Sequence, residues 1–163
     1  MQLKAYRNAE RWLVWPAIAL GGSLGALLRY GWVTNFPVRD ASFPWAIFSE
    51  NVLGAFVLGW LLAIFIRKRG KHRYIRAFFG TGLIGSFTTF SGITLDLAHY
   101  VHNSSYLLLS LYTLLSITAG LIAAMAGLRA GRFTLQEYRN KKEKNQEGVS
   151  PEKHPSNLPN RRN

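Results

Sequence analysis

The chain has 163 residues, with 20 Lys and Arg against 8 Asp and Glu, a net charge of +12, 48% hydrophobic residues and no cysteine. Without cysteine, disulfide frameworks and thiolate metal sites are excluded. Apolar runs of bilayer length exclude a single soluble core, and the basic residues gather at the ends of those runs, where anionic headgroups are a simpler partner than nucleic acid.

Residues 1–11 form a short amphipathic lead with Lys4, Arg7 and Arg11, and Trp12 and Trp15 follow as interfacial anchors. The first span is predicted over 12–32. It is too long for a signal-peptide core and has no small-residue cleavage site, so it reads as a retained helix. Gly21 and Gly25 give it a small-xxx-small face for close helix approach. Arg29 reads as a charge snorkelling to the interface, with a buried acid or an anion as the alternative partner. A loop over 33–43 leads to Pro44 and Trp45, which open the second span, 44–66. Glu50 and Asn51 lie inside it, Glu50 roughly 9 Å deep at helical rise.

Residues 67–76 hold Arg67, Lys68, Arg69, Lys71, Arg73 and Arg76 with no acid, a tight basic hairpin. The third span, 74–100, contains Gly80 to Gly92, a stretch with Gly80, Gly82, Gly85 and Gly92 among Thr81, Ser86, Thr88, Thr89 and Ser91. Glycine and β-branched threonine are poor helix formers, and hydroxyls compete for backbone hydrogen bonds. Non-helical backbone survives at membrane depth only when buried in protein or lining a wet cavity. The stretch is therefore predicted to break the helix, with its freed carbonyls and hydroxyls turned to an ion or a partner chain. His99 and His102 read as interfacial residues, and Asn103 to Ser105 as a turn. In the fourth span, 106–128, Tyr112, Ser116 and Gly120 share one helix face. An amphipathic helix is expected over 129–140 and disorder over 141–163, within a basic tail.

Four spans put the N-terminus, the second loop and the tail on one side. Of the 20 Lys and Arg, only Arg29 and Arg39 fall towards the other. The positive-inside rule then makes both termini cytoplasmic in a multi-pass cell-membrane protein.

Three blocks, in order, resemble the CrcB/Fluc fluoride-channel family over about residues 15–128: Gly21 to Ala26 with Arg29-Tyr30; Pro44-Trp45 with Asn51 to Phe56; and Gly80-Thr81-Gly82 through Thr88-Thr89-Phe90-Ser91. The resemblance implies an all-α membrane protein with four transmembrane helices, the third broken mid-membrane, pairing as an antiparallel dimer with two narrow pores that conduct fluoride passively. It implies a structural Na⁺ at the dimer centre, held by backbone near Gly82, Gly85, Ser86 and Thr88. It makes Asn51 the second-helix amide facing the anion, Phe90 a pore phenylalanine, and Tyr112 and Ser116 the start of a polar track. Amide and hydroxyl donors and an electropositive ring edge suit a tightly hydrated anion, and carbonyls at a helix break suit Na⁺. The bland readings beside these are an interhelical hydrogen bond for Asn51, packing for Phe90 and Phe87, and back-bonding for Ser116.

The sequence departs from the family pattern at Ile93, where a second pore phenylalanine is usual. It also departs at Gly92, Asp96, Gly120, Ala124, Ala46-Ile47, and Glu50, a carboxylate beside the amide. Together with the charge bias, which fixes one orientation, these point to one half of a heterodimer with an oppositely oriented homologue. The alternatives are a non-conducting accessory subunit and a small four-helix proton-coupled exporter; the latter expects an acid in the first span, which has none. No clustered nucleophile and base, phosphate loop or metal set speaks for an enzyme.

Overall fold

The computed structural model describes residues 2–36, 43–66 and 73–147, all helix and connecting turns with no strand among them. Helix α1 is Gln2–Asn35 and α2 is Trp45–Ile66. The third span is composite: a short α3, Arg73–Arg76, a π-helical stretch, Ala77–Ile84, a single turn α4, Gly85–Phe87, and then α5, Phe90–His102. Helix α6 is Tyr106–Glu147. Four segments are long and apolar enough to cross a membrane: Trp12–Asn35, Trp45–Phe65, Arg73–His102 and Tyr106–Lys141. The first predicted loop gives up 33–35 to α1 and the basic hairpin gives up 73–76 to α3, while 37–42 and 67–72 lie outside the described residues.

Two helix pairs build the subunit: α2 on α6, and α1 on the π-helical stretch and α4. Lipid is as apolar as leucine, so burial alone cannot pair helices in a bilayer, and close packing of small residues does much of the work. On the first seam, a Cβ on Gly127 would land on the Phe56 carbonyl, and one on Gly59 on that of Ala124. Gly131 faces Ala63 and the Trp60 carbonyl in the same way. Rising numbers on one helix meet rising numbers on the other, so α2 and α6 run parallel, as spans two crossings apart must.

On the second seam, a Cβ on Gly21 would strike the Phe78 carbonyl and one on Gly25 the Leu83 carbonyl, while one on Gly82 would come 2.8 Å from the Ile18 carbonyl. Gly25→Ala is therefore expected to push α1 off the third span and to destabilise the subunit by about 1–3 kcal/mol. Gly31→Ala, where nothing lies within 4 Å of the added carbon, should instead be neutral or stabilising by up to about 1 kcal/mol. Thermal melts of the two variants in one detergent check the contrast.

The turn between α5 and α6 closes with a complete pair of capping bonds. Ser105 N–H donates to Tyr100 O at 2.8 Å and Ser104 N–H to Val101 O at 3.1 Å, with Ser104 in the left-handed region at φ 53°. This brings the start of α6 back against α5, so that Tyr112 meets Asp96. Beyond Leu128 the helix does not stop. It runs unbroken to Glu147, so 141–147, expected to be disordered, are helical, with Glu137 and Lys141 3.9 Å apart one turn from each other. Residues 148–163 lie outside the described residues.

Candidate pore and helix break

Sequence composition places the break within residues 80–92, and the structure opens it inside that stretch, at Thr88 and Thr89. Gly80 to Ile84 remain helical but are wound wide, with i→i+5 spacing; such π segments are rare and gather at functional sites. The chain becomes extended at Thr88 (φ −77°, ψ 151°) and Thr89 (φ −141°, ψ 125°), and α5 starts at Phe90. Thr89 is the N-cap of α5, its Oγ1 accepting from Gly92 N–H at 3.1 Å and lying 2.9 Å from Ser91 Oγ. Thr88 Oγ1 donates back to Ile84 O at 3.0 Å, closing the end of the preceding turn.

Asn51 holds this break open. Its Oδ1 accepts from Thr89 N–H at 2.9 Å, and its Nδ2 donates to Thr89 O at 3.0 Å and to Ile47 O at 3.0 Å. The primary amide thus replaces a peptide group, satisfying both backbone groups of a buried, extended residue far from water. Both of its N–H donors are engaged within the subunit. Gly54, one turn further on α2, lets Thr88 approach so closely that a Cβ there would fall on the threonine methyl.

The last four carbonyls of a helix have no partner further along it. Here those are Gly85 to Thr88, because Thr89 N–H, which would have continued to Gly85 O, turns to Asn51 instead. Of the residues predicted near a cation, Gly85, Ser86 and Thr88 belong to this set. Gly82 does not: its carbonyl takes Gly85 N–H, and the residue is buried against α1. Phe87 is buried and meets Trp32 edge-on at 6.2 Å, as the packing reading expected.

Phe90 sits at the head of α5 and is 82% exposed on the single subunit. Tyr112 is fully buried, its ring set edge-on to Phe43 and Tyr100, and its hydroxyl donates to Asp96 Oδ2 at 3.0 Å. Ser116, one turn along, has a buried Oγ with no hydrogen-bond partner among the described residues. Ile93 is half-buried on α5.

Glu50 is 0% exposed, and neither carboxylate oxygen has a hydrogen-bond partner among the described residues. The charge that reaches it is Arg29 on α1. Arg29 is half-buried and makes no ion pair with Glu50 among the described residues, so the acid feels its charge without contact. Trp32 Nε1 donates to Ser49 Oγ at 3.1 Å and ties the same two helices beside it. No group of three or more His, Asp or Glu able to hold a metal occurs among the described residues; His99 instead meets the Asn103 amide at 2.9 Å.

A family model described as CrcB-like protein, Camphor Resistance (CrcB), matches residues 16–128. The chain belongs to the CrcB family. Among its curated relatives, the fluoride-specific ion channel FluC of Oceanobacillus iheyensis is 37% identical over 120 residues, 74% of this chain and 92% of the relative. FluC 3 of Streptomyces avermitilis is 38% identical over 130 residues, covering 80% of this chain but 64% of the longer relative. FluC 2 of Nocardia farcinica is 38% identical over 117 residues, 72% and 84% of the two chains. The CrcB match takes in part or all of each of the four spans and ends at Leu128, so the long extension of α6 lies outside it.

Of the CrcB residues singled out from sequence, the structure brings Asn51 to the break and stacks Tyr112 above Ser116 on one face. Thr89 was missed as the residue on which the break turns. A Thr followed by Phe-Ser-Gly at the mouth of an apolar run is an N-cap signal that could have located it.

Proposed function

We propose that this chain is a subunit of a passive, fluoride-specific ion channel that lowers cytoplasmic fluoride. The observation that carries the proposal is the helix break clasped by Asn51, with Phe90 uncovered at the head of α5. The Ser116 hydroxyl, buried beside Tyr112 with its oxygen unpartnered among the described residues, supports it as a place for an anion. A pore for a small hydrated anion needs donors that replace water without holding the ion too tightly. Ser116 and Tyr112 supply hydroxyls, the Phe90 ring edge supplies a weak positive field, and Asn51 acts by fixing where Phe90 points. The names of the relatives support fluoride as the permeant ion.

The functional unit is an antiparallel dimer. The basic bias of one membrane face sets both termini in the cytoplasm, so the partner is a homologous subunit of opposite orientation. At the dimer centre the Gly85, Ser86 and Thr88 carbonyls would hold a structural Na⁺; bound there, the ion supplies positive charge that joins the two breaks. A second reading, a non-conducting subunit that stabilises its partner, is favoured by Ile93 and by the buried carboxylate of Glu50, which repels anions. Fluoride efflux from proteoliposomes separates the readings. Flux is expected when this chain is reconstituted with its homologue and not when it is alone. Flux from the chain alone would overturn the heterodimer, and flux unaffected by pore substitutions in this chain would favour the accessory role.

A further inference from the structure

A groove of about 410 Å³ lies between the end of α2 and the start of the π-helical stretch, lined by Leu58, Leu61, Leu62, Phe65, Gly80 and Thr81, with Arg76 at its rim. It opens at the membrane edge that carries the basic segment 67–76. Leu58 to Phe65 runs down roughly 10 Å of helix at 1.5 Å per residue, into the hydrocarbon of one leaflet. Leu58 and Leu62 are exposed on the subunit, and a side chain at Gly80 would meet nothing within 4 Å. Arg76 is exposed and makes no ion pair among the described residues.

We infer that this groove is a binding site for an anionic phospholipid, with the headgroup phosphate on Arg76 and an acyl chain along Leu58, Leu62 and Phe65. An exposed cation over an apolar trough is complementary to an amphiphilic anion. The planar guanidinium matches phosphate with two parallel hydrogen bonds, and an acid-free basic segment raises the local concentration of anionic lipid. A zwitterionic lipid would fill the trough equally but brings its own cation against the same field. The widened helix contributes too: it sets glycine, with no side chain, at the floor.

The test is co-purification of the full chain from membranes of equal phosphatidylglycerol and phosphatidylcholine, with bound lipids counted by mass spectrometry. Wild type should retain phosphatidylglycerol about fivefold over phosphatidylcholine, the factor that one near-surface arginine supplies. Arg76→Gln should lower the enrichment severalfold, towards that of the bulk, and Arg129→Gln, on α6, should leave it unchanged. Leu62→Trp, which fills the trough and keeps Arg76, should lower total retained lipid. Equal retention of the two lipids by wild type, or enrichment that survives both Arg76→Gln and Leu62→Trp, would overturn the site. So would efficient crosslinking between subunits through Leu62→Cys, which would put a second copy in the groove.

Discussion

Replacing Asn51 by leucine should abolish fluoride flux and destabilise the subunit by several kcal/mol. The size follows from the bonds lost. Thr89 is buried and extended, and its N–H and C=O have the Asn51 side chain as their partner, at 2.9 and 3.0 Å. Leucine keeps the branching at Cγ but leaves both groups unpaired, at about 1–3 kcal/mol each. Water cannot rescue them, because the site lies inside a membrane span. Asn51→Asp separates the two halves of the clasp. It can still accept from Thr89 N–H but sets a carboxylate against the Thr89 and Ile47 carbonyls, so it should be as damaging as leucine. Asn51→Gln keeps every group but adds a methylene and should retain part of the stability. A leucine variant that melts and conducts like the wild type would show that the break stands without its clasp, and the proposed pore would lose its central support.

The spans were legible because length and hydropathy alone decide what can cross a bilayer. The presence of a break was legible too, since glycines and hydroxyls crowd residues 80–92 for no reason that lipid supplies. Which residues of that stretch open was not. Propensity assigns disruption to the glycines, but Gly82 is glycine because α1 passes 2.8 Å from where its Cβ would be. The helix absorbs that demand by widening rather than breaking. The extended residues are set by an amide 38 positions away in sequence, a contact no local pattern records. The same limit hid the partner of Tyr112: its four-residue spacing from Ser116 gives the shared face, while Asp96 reaches it only because the turn at Ser104 folds α6 back. Beyond Leu128, charge and polarity pointed to a tail that leaves the fold soon after residue 140. Glutamate, lysine, arginine and glutamine are good helix formers, however, and a helix already nucleated by a membrane span extends into them without paying for a new start.

Glu50→Gln is expected to raise fluoride flux through the reconstituted channel roughly tenfold, since removing a fixed like charge near an anion path is worth on the order of 1–2 kcal/mol at protein dielectric. The residue is the least accommodated group in the described structure: 0% exposed, both oxygens unpartnered, in a span with no other charged residue. The opposing charge that reaches it comes from Arg29, on the neighbouring helix, without a direct ion pair. Two consequences follow from that field. Arg29→Gln alone should lower flux and stability together, because it removes the opposing charge that reaches the acid, worth on the order of 1–2 kcal/mol at protein dielectric. The double variant, with neither charge, should recover the stability and conduct like Glu50→Gln, so the two substitutions are strongly non-additive. If Glu50→Gln instead lowers flux as Arg29→Gln does, the carboxylate is serving the pore by positioning Arg29 near the anion. The departure from the family pattern would then be an adaptation of this subunit's path and not a defect in it.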